Sequence, residues 1–104
     1  MSGQILTVGN AVITEMVRLA AQEVPGVLRV GRAGPLWRRL FHQPAVEARV
    51  RGGRVTVRLA LIARPGQPLQ SLGLQVRSAV TAAVERLLAL ELESVTVIVD
   101  GVGD

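Results

Sequence analysis

At 104 residues the chain has the size of one domain and can bury about 65% of its unfolded surface without covalent staples. It has no cysteine, which excludes disulfides and thiolate metal sites. The net charge of +4 rests on twelve basic residues, all arginine, and favours acidic partners without choosing among nucleic acid, anionic lipid and an acidic protein face.

The elements follow in chain order. "MSGQILTVGN" lacks a basic region followed by an apolar stretch, so no secretory leader is expected. Within it, "ILTV" (5–8) predicts a short strand, and Gly9 or Asn10 is placed to cap a helix. Val12, Ile13, Met16, Val17, Ala20 and Ala21 repeat at helical spacing, with Glu15, Arg18 and Gln22 on the other side. Pro25-Gly26 ends that helix, and "GVLRV" predicts a second short strand.

"GPLWRRLFHQP" (34–44) holds the only Trp, the only Phe and the only His of the chain. Gly34-Pro35 and Pro44 bound it as a loop with one helical turn over Leu36–Phe41. That turn groups Leu36, Trp37, Leu40 and Phe41 on one side and turns Arg38 and Arg39 away. Three roles fit. The aromatics could cap the sheet edge, since the rest of the core has none. Alternatively Trp37, Arg38, Arg39 and Phe41 could meet a protein partner or a membrane surface.

"AVEARVRGGRVTVRLALIA" alternates apolar and polar residues around Gly52-Gly53, the pattern of a hairpin with a two-residue turn. The turn sets the register: Val50 opposite Val55, Ala48 opposite Val57, Val46 opposite Leu59. The other face carries Glu47 against Arg58, Arg49 against Thr56 and Arg51 against Arg54. After "RPGQP", a helix is predicted from Pro68, at its first position, to Leu88, with Leu69, Leu72, Val76, Val80, Ala83 and Leu87 in one stripe. The last strand, "SVTVIVDGV", turns Val95, Val97 and Val99 inward and Thr96, Ile98 and Asp100 outward. The expected fold is α+β in the order β-α-β-β-β-α-β. A small mixed sheet with a central hairpin has two helices on one face. The other face bears Arg49, Arg51, Arg54 and Arg58.

Catalytic chemistry finds little footing. His42 has no fixed partner, no serine sits in a nucleophile elbow, and the eight carboxylates are dispersed. Glu91 and Glu93, near a strand start, suit a solvated edge better than an acid/base pair. "GRAG" (31–34) follows a strand, whereas a KH-type nucleic-acid loop lies between helices. The chain is therefore expected to be no enzyme, without cofactor or metal. Arg49, Arg51, Arg54 and Arg58 form a candidate basic face, but no aromatic accompanies them. Nucleic-acid binding there would be electrostatic and weakly specific. No apolar run reaches the roughly 20 residues of a membrane span.

Several strings resemble the bacterial alkaline-shock, envelope stress response protein family. They are "AAQEVPGV" (Ala20, Ala21, Glu23, Val24, Gly26, Val27), "VRGGRVTVRLALIARPG", "LQVRSAVTAAVERL" and the closing "LELESVTVIVDGV". Residues 32–44 fall outside the resemblance, and Ala89 stands where the family ends its helix on glycine. The resemblance implies a non-enzymatic, self-associating cytoplasmic protein that gathers at the membrane's inner face through a membrane-anchored partner and serves envelope homeostasis. The alternative from another class is a basic nucleic-acid-binding module.

Overall fold

The computed structural model describes residues 9–35 and 44–103. Their order is α1 (Asn10–Gln22), β1 (Val27–Val30), β2 (Val46–Arg51), β3 (Arg54–Ala63), α2 (Leu69–Ala82) continued by a π-helical turn (Ala83–Leu87), and β4 (Glu91–Val102). The strand expected at 5–8 lies outside the described residues. The rest matches the α+β expectation.

β3 is the spine of the sheet. β2 and β1 run antiparallel along one flank, end to end, and β4 runs parallel along the other. The sheet is therefore mixed. The hairpin takes the expected register at all six pairs, from Val46–Leu59 to Arg51–Arg54. Gly52 (φ 60°) and Gly53 (φ 79°) both occupy the left-handed region, the signature of a type I′ turn that twists with its strands. A period-two pattern and a two-glycine turn leave one register that buries Val55, Val57 and Leu59 together.

Both helices cover one face of the sheet. Ile13, Val17 and Ala21 of α1 and Leu72, Val76 and Val80 of α2 are buried against Val55, Val57, Leu59 and Leu61 of β3. Val95, Val97 and Val99 of β4 pack on the rim of this core. Among the described residues no polar side chain is buried. Burial of that apolar surface, at about 25 cal/mol per Å², is the main driving force for the fold.

Several local expectations are narrowed or corrected. α1 is capped by Gly9, whose carbonyl accepts from Val12 (3.1 Å) and Ile13 (3.3 Å), while Asn10 is already helical and makes no side-chain cap. Val12 is half-exposed because the buried stripe is narrower than the sequence pattern. Gln22 does not face water idly: its amide donates to Leu28 O and accepts from Val30 N–H (both 3.1 Å), closing the free edge of β1. Arg18 donates to Glu15 one turn away (Nε–Oε1 3.1 Å), and this hydrogen bond holds the exposed carboxyl below its ordinary range. Pro68 caps α2 instead of opening it, since its extended ψ of 108° precedes the first helical residue.

The largest departure is at the end of α2. The stripe that ends on Ala83 and Leu87 assumes 3.6 residues per turn, but the π-helical turn at Ala83–Leu87 fits more residues into one turn. This rotates the phase. Val84 becomes fully buried, Leu88 packs on the core, and Leu87 is left 69% exposed. The turn closes with Leu88 N–H and Leu90 N–H both donating to Val84 O (3.3 and 3.4 Å).

Ala89, which stands where the resemblance leads one to expect glycine, takes the left-handed conformation all the same (φ 55°). A Cβ there costs about 1–2 kcal/mol. Ala89→Gly is therefore expected to stabilise the chain by about 1 kcal/mol, seen as a higher urea midpoint with an unchanged slope.

The second face of the sheet is divided. At the hairpin end it is exposed and charged. At the other end Ala60 and Ile62 are buried, although the strand pattern points them away from the helices. Gly31–Pro35 leaves β1 and crosses here: Ala33 N–H donates to Asp100 Oδ2 (2.7 Å), and Ala33 and Ile62 pack closely around Gly101. Asp100 sits beside a bulge in β4, which aims its carboxylate at that amide.

Candidate functional site

Two surfaces stand out. The first lies between the helices. Met16, Leu19 and Ala20 of α1 face Ala79, Ala82, Ala83 and Leu87 across an open groove of about 510 Å³. Its floor is alanine, so a partner can come close to the backbone of both helices. Its walls are Leu19 (49% exposed) and Leu87 (69% exposed). Glu23 and Arg86 provide one charge of each sign at its rim. The sequence hid this site for a definite reason: at regular helical spacing Leu87 belongs to the core, and only the π-helical turn brings it out.

The second is the hairpin's outer face. Arg49, Arg51, Arg54 and Arg58 do share it, as expected from the alternation. The sequence did not reveal what joins them. β4 runs parallel to β3 with Glu91 beside Arg54, and Arg54 stands 3.8 Å from Glu91 and 3.9 Å from Glu93. Glu47 is paired with Arg58 across the hairpin. Four guanidinium groups thus share this face with three carboxylates, and Arg54 is the one within ion-pair distance of any of them. Exposed pairs of this length add little stability, about 0–1 kcal/mol, but the three carboxylates leave the face a net charge far below that of its arginines alone. The segment bearing Trp37, Arg38, Arg39, Phe41 and His42 lies outside the described residues, as do all three roles considered for it.

Among the described residues no three His, Cys, Asp or Glu side chains gather to hold a metal ion. None of the described helices is long and apolar enough to cross a membrane.

A family model described by a cell envelope-related function matches residues 2–103, nearly the whole chain. The chain belongs to the alkaline shock protein 23 family. No curated protein matches it in sequence. Among solved structures it is similar to the MamM CTD. One variant is 23% identical, covers 88% of this chain and 95% of its own, and gives a TM-score of 0.56. A variant in its zinc form is 22% identical with 88% and 84% covered and a TM-score of 0.56. A variant in its manganese form is 23% identical with 88% and 96% covered and a TM-score of 0.55. At that identity the likeness is one of fold, an α+β domain with helices on one face of the sheet. The family resemblance read from "AAQEVPGV" and the closing strand is thereby established. The string's Gly26 also gains a physical role: a side chain there would strike Leu72 of α2.

Proposed function

We propose that this chain is a non-enzymatic docking protein of the cell envelope that self-associates and is held at the inner face of the membrane by a membrane-anchored partner. The observation that carries this is the groove between α1 and α2. Large apolar side chains stand half or more exposed around an alanine floor, an arrangement that costs solubility and gains nothing inside the monomer. The groove suits the apolar stripe of a partner helix, with Glu23 and Arg86 setting its direction through charges of opposite sign. The envelope-related family supports the placement. Nucleic-acid binding by Arg49, Arg51, Arg54 and Arg58 is less favoured, because Glu47, Glu91 and Glu93 share their face and no described aromatic offers a base a stacking surface.

The test is capture from the native cell's membrane fraction. The wild-type chain is expected to recover a membrane-anchored protein. The double variant Leu19→Glu, Leu87→Glu is expected to recover at least tenfold less while keeping the same melting curve, because both positions are exposed. Equal recovery by both chains, or tight RNA binding at physiological salt with a steep salt slope, would overturn the proposal.

A further inference from the structure

We infer that the open edge of β4 is a self-complementary seam, at which a second copy of this chain adds antiparallel with its Val97 opposite Val97. The inference rests on the self-association proposed above and supplies its interface.

Among the described residues the sheet presents three strand edges, and they are treated differently. The edge of β1 is closed by the Gln22 side chain through two hydrogen bonds. The edge of β2 bears Glu47, Arg49 and Arg51, and charged residues on an edge discourage a further strand. β4 is the longest strand at 12 residues, and none of the described residues pairs with its outer side. Bulges interrupt it between Leu92 and Ser94 and between Val99 and Gly101. The regular stretch between them, Ser94 to Val99, contains no charge, no proline and no glycine. Four of its residues from 95 to 99 are Val or Ile and the other is Thr, all β-branched and suited to a strand.

The order of those five residues, V-T-V-I-V, is close to a palindrome. A two-fold axis normal to a sheet keeps each side chain on its own face, so a symmetric antiparallel pair must set inward residues against inward ones. Centring the axis on Val97 does this. Val95 meets Val99, Val97 meets its own copy, and Thr96 meets Ile98, each a favourable cross-strand pair. The carboxylates are also kept apart, since Ser94 stands opposite Asp100 and Glu93 opposite Gly101. Centring on Thr96 instead sets Glu93 against Val99.

The helix layer agrees. Leu74 of α2 is 63% exposed and overhangs Val95 and Val97 at this edge. Beside it Gly73 leaves open space: apart from its chain neighbours and its own helix's backbone, none of the described residues comes within 4 Å of where a Cβ would stand. The same axis brings the α2 faces that line this edge, Gln70, Gly73, Leu74 and Arg77, toward one another above the seam. Pairing would continue the sheet and the helix layer across both copies, an isologous contact that closes as a dimer.

The absence of cysteine makes the test clean, because any introduced thiol is unique. Opposed Cβ atoms at the axis are about 4.5–5.5 Å apart, within reach of oxidation or of a short bis-thiol reagent. In the full chain, Val97→Cys is expected to form covalent dimers at least tenfold faster than Arg51→Cys at the hairpin tip or Leu87→Cys in the groove. Mixing Thr96→Cys with Ile98→Cys chains is expected to give the mixed dimer faster than either gives its own. Light scattering of the unmodified chain is run beside these. A wild-type oligomer with Val97→Cys no faster than Arg51→Cys would overturn the seam and leave self-association standing. A monomer at tens of micromolar would overturn both.

Discussion

Leu61→Ala is expected to lower the stability of the chain by about 2–5 kcal/mol, the cost of a cavity in a core that cannot collapse around it. Leu61 is fully buried on the central strand, with β1 on one flank and β4 on the other. Its backbone is tied on both sides, so neighbouring strands cannot move in to fill the space. For a domain of this size about 4–8 °C is lost per kcal/mol, which gives a fall in Tm of roughly 8–40 °C. Leu74→Ala removes the same atoms from a site 63% exposed and is expected to leave the Tm of the monomer within a few degrees. A Leu61→Ala chain that melts with the Leu74→Ala chain would show that β3 is not the spine of the core.

The second large effect is at Gly26, a residue of the family string "AAQEVPGV". Gly26 is buried where the chain turns from α1 into β1, and its carbonyl accepts from Arg64 N–H (2.9 Å). A Cβ built on it would stand 2.6 Å from Gln67 Oε1 and 2.8 Å from Leu72 Cδ1. The exposed Gln67 can swing away. Leu72 cannot, because it is 1% exposed within the first turn of α2. Gly26→Ala should therefore push α2 off the sheet and cost about 1–3 kcal/mol. Gly73→Ala adds the same methyl within α2 where nothing lies within 4 Å, and is expected to stabilise the monomer by about 1 kcal/mol through helix propensity. Opposite signs for two identical substitutions, read by urea denaturation, would separate close packing from backbone freedom.

These outcomes bear on how function is built into so small a chain. Leu61 and Gly26 hold a rigid core, while Leu19, Leu74 and Leu87 remain outside it at positions where regular helices could have buried or omitted them. The exposed apolar walls of the α1–α2 groove suit the contact with other chains proposed above.

What the sequence determined by itself was whatever depends on short-range periodicity. The hairpin was legible to the residue pair, because Gly52-Gly53 fixes the turn and a shift of one residue would move every valine to the wrong face. The inward valines of β4 and the buried centre of α2 followed from the same logic, and the family from the strings around them. Other features rest on contacts between distant residues, and these only the tertiary structure decided. Parallel pairing of β4 with β3 set Glu91 and Glu93 beside Arg54 and added two negative charges to a basic face that the hairpin alone presents. The crossing of Gly31–Pro35, tied to Asp100, buried Ala60 and Ile62 on a face the alternation assigns to solvent. The π-helical turn, held against the core through Val84, rotated Leu87 out of the stripe and made the groove. No local pattern encodes a change of helical phase, since its cost is local and its return comes from packing against the sheet.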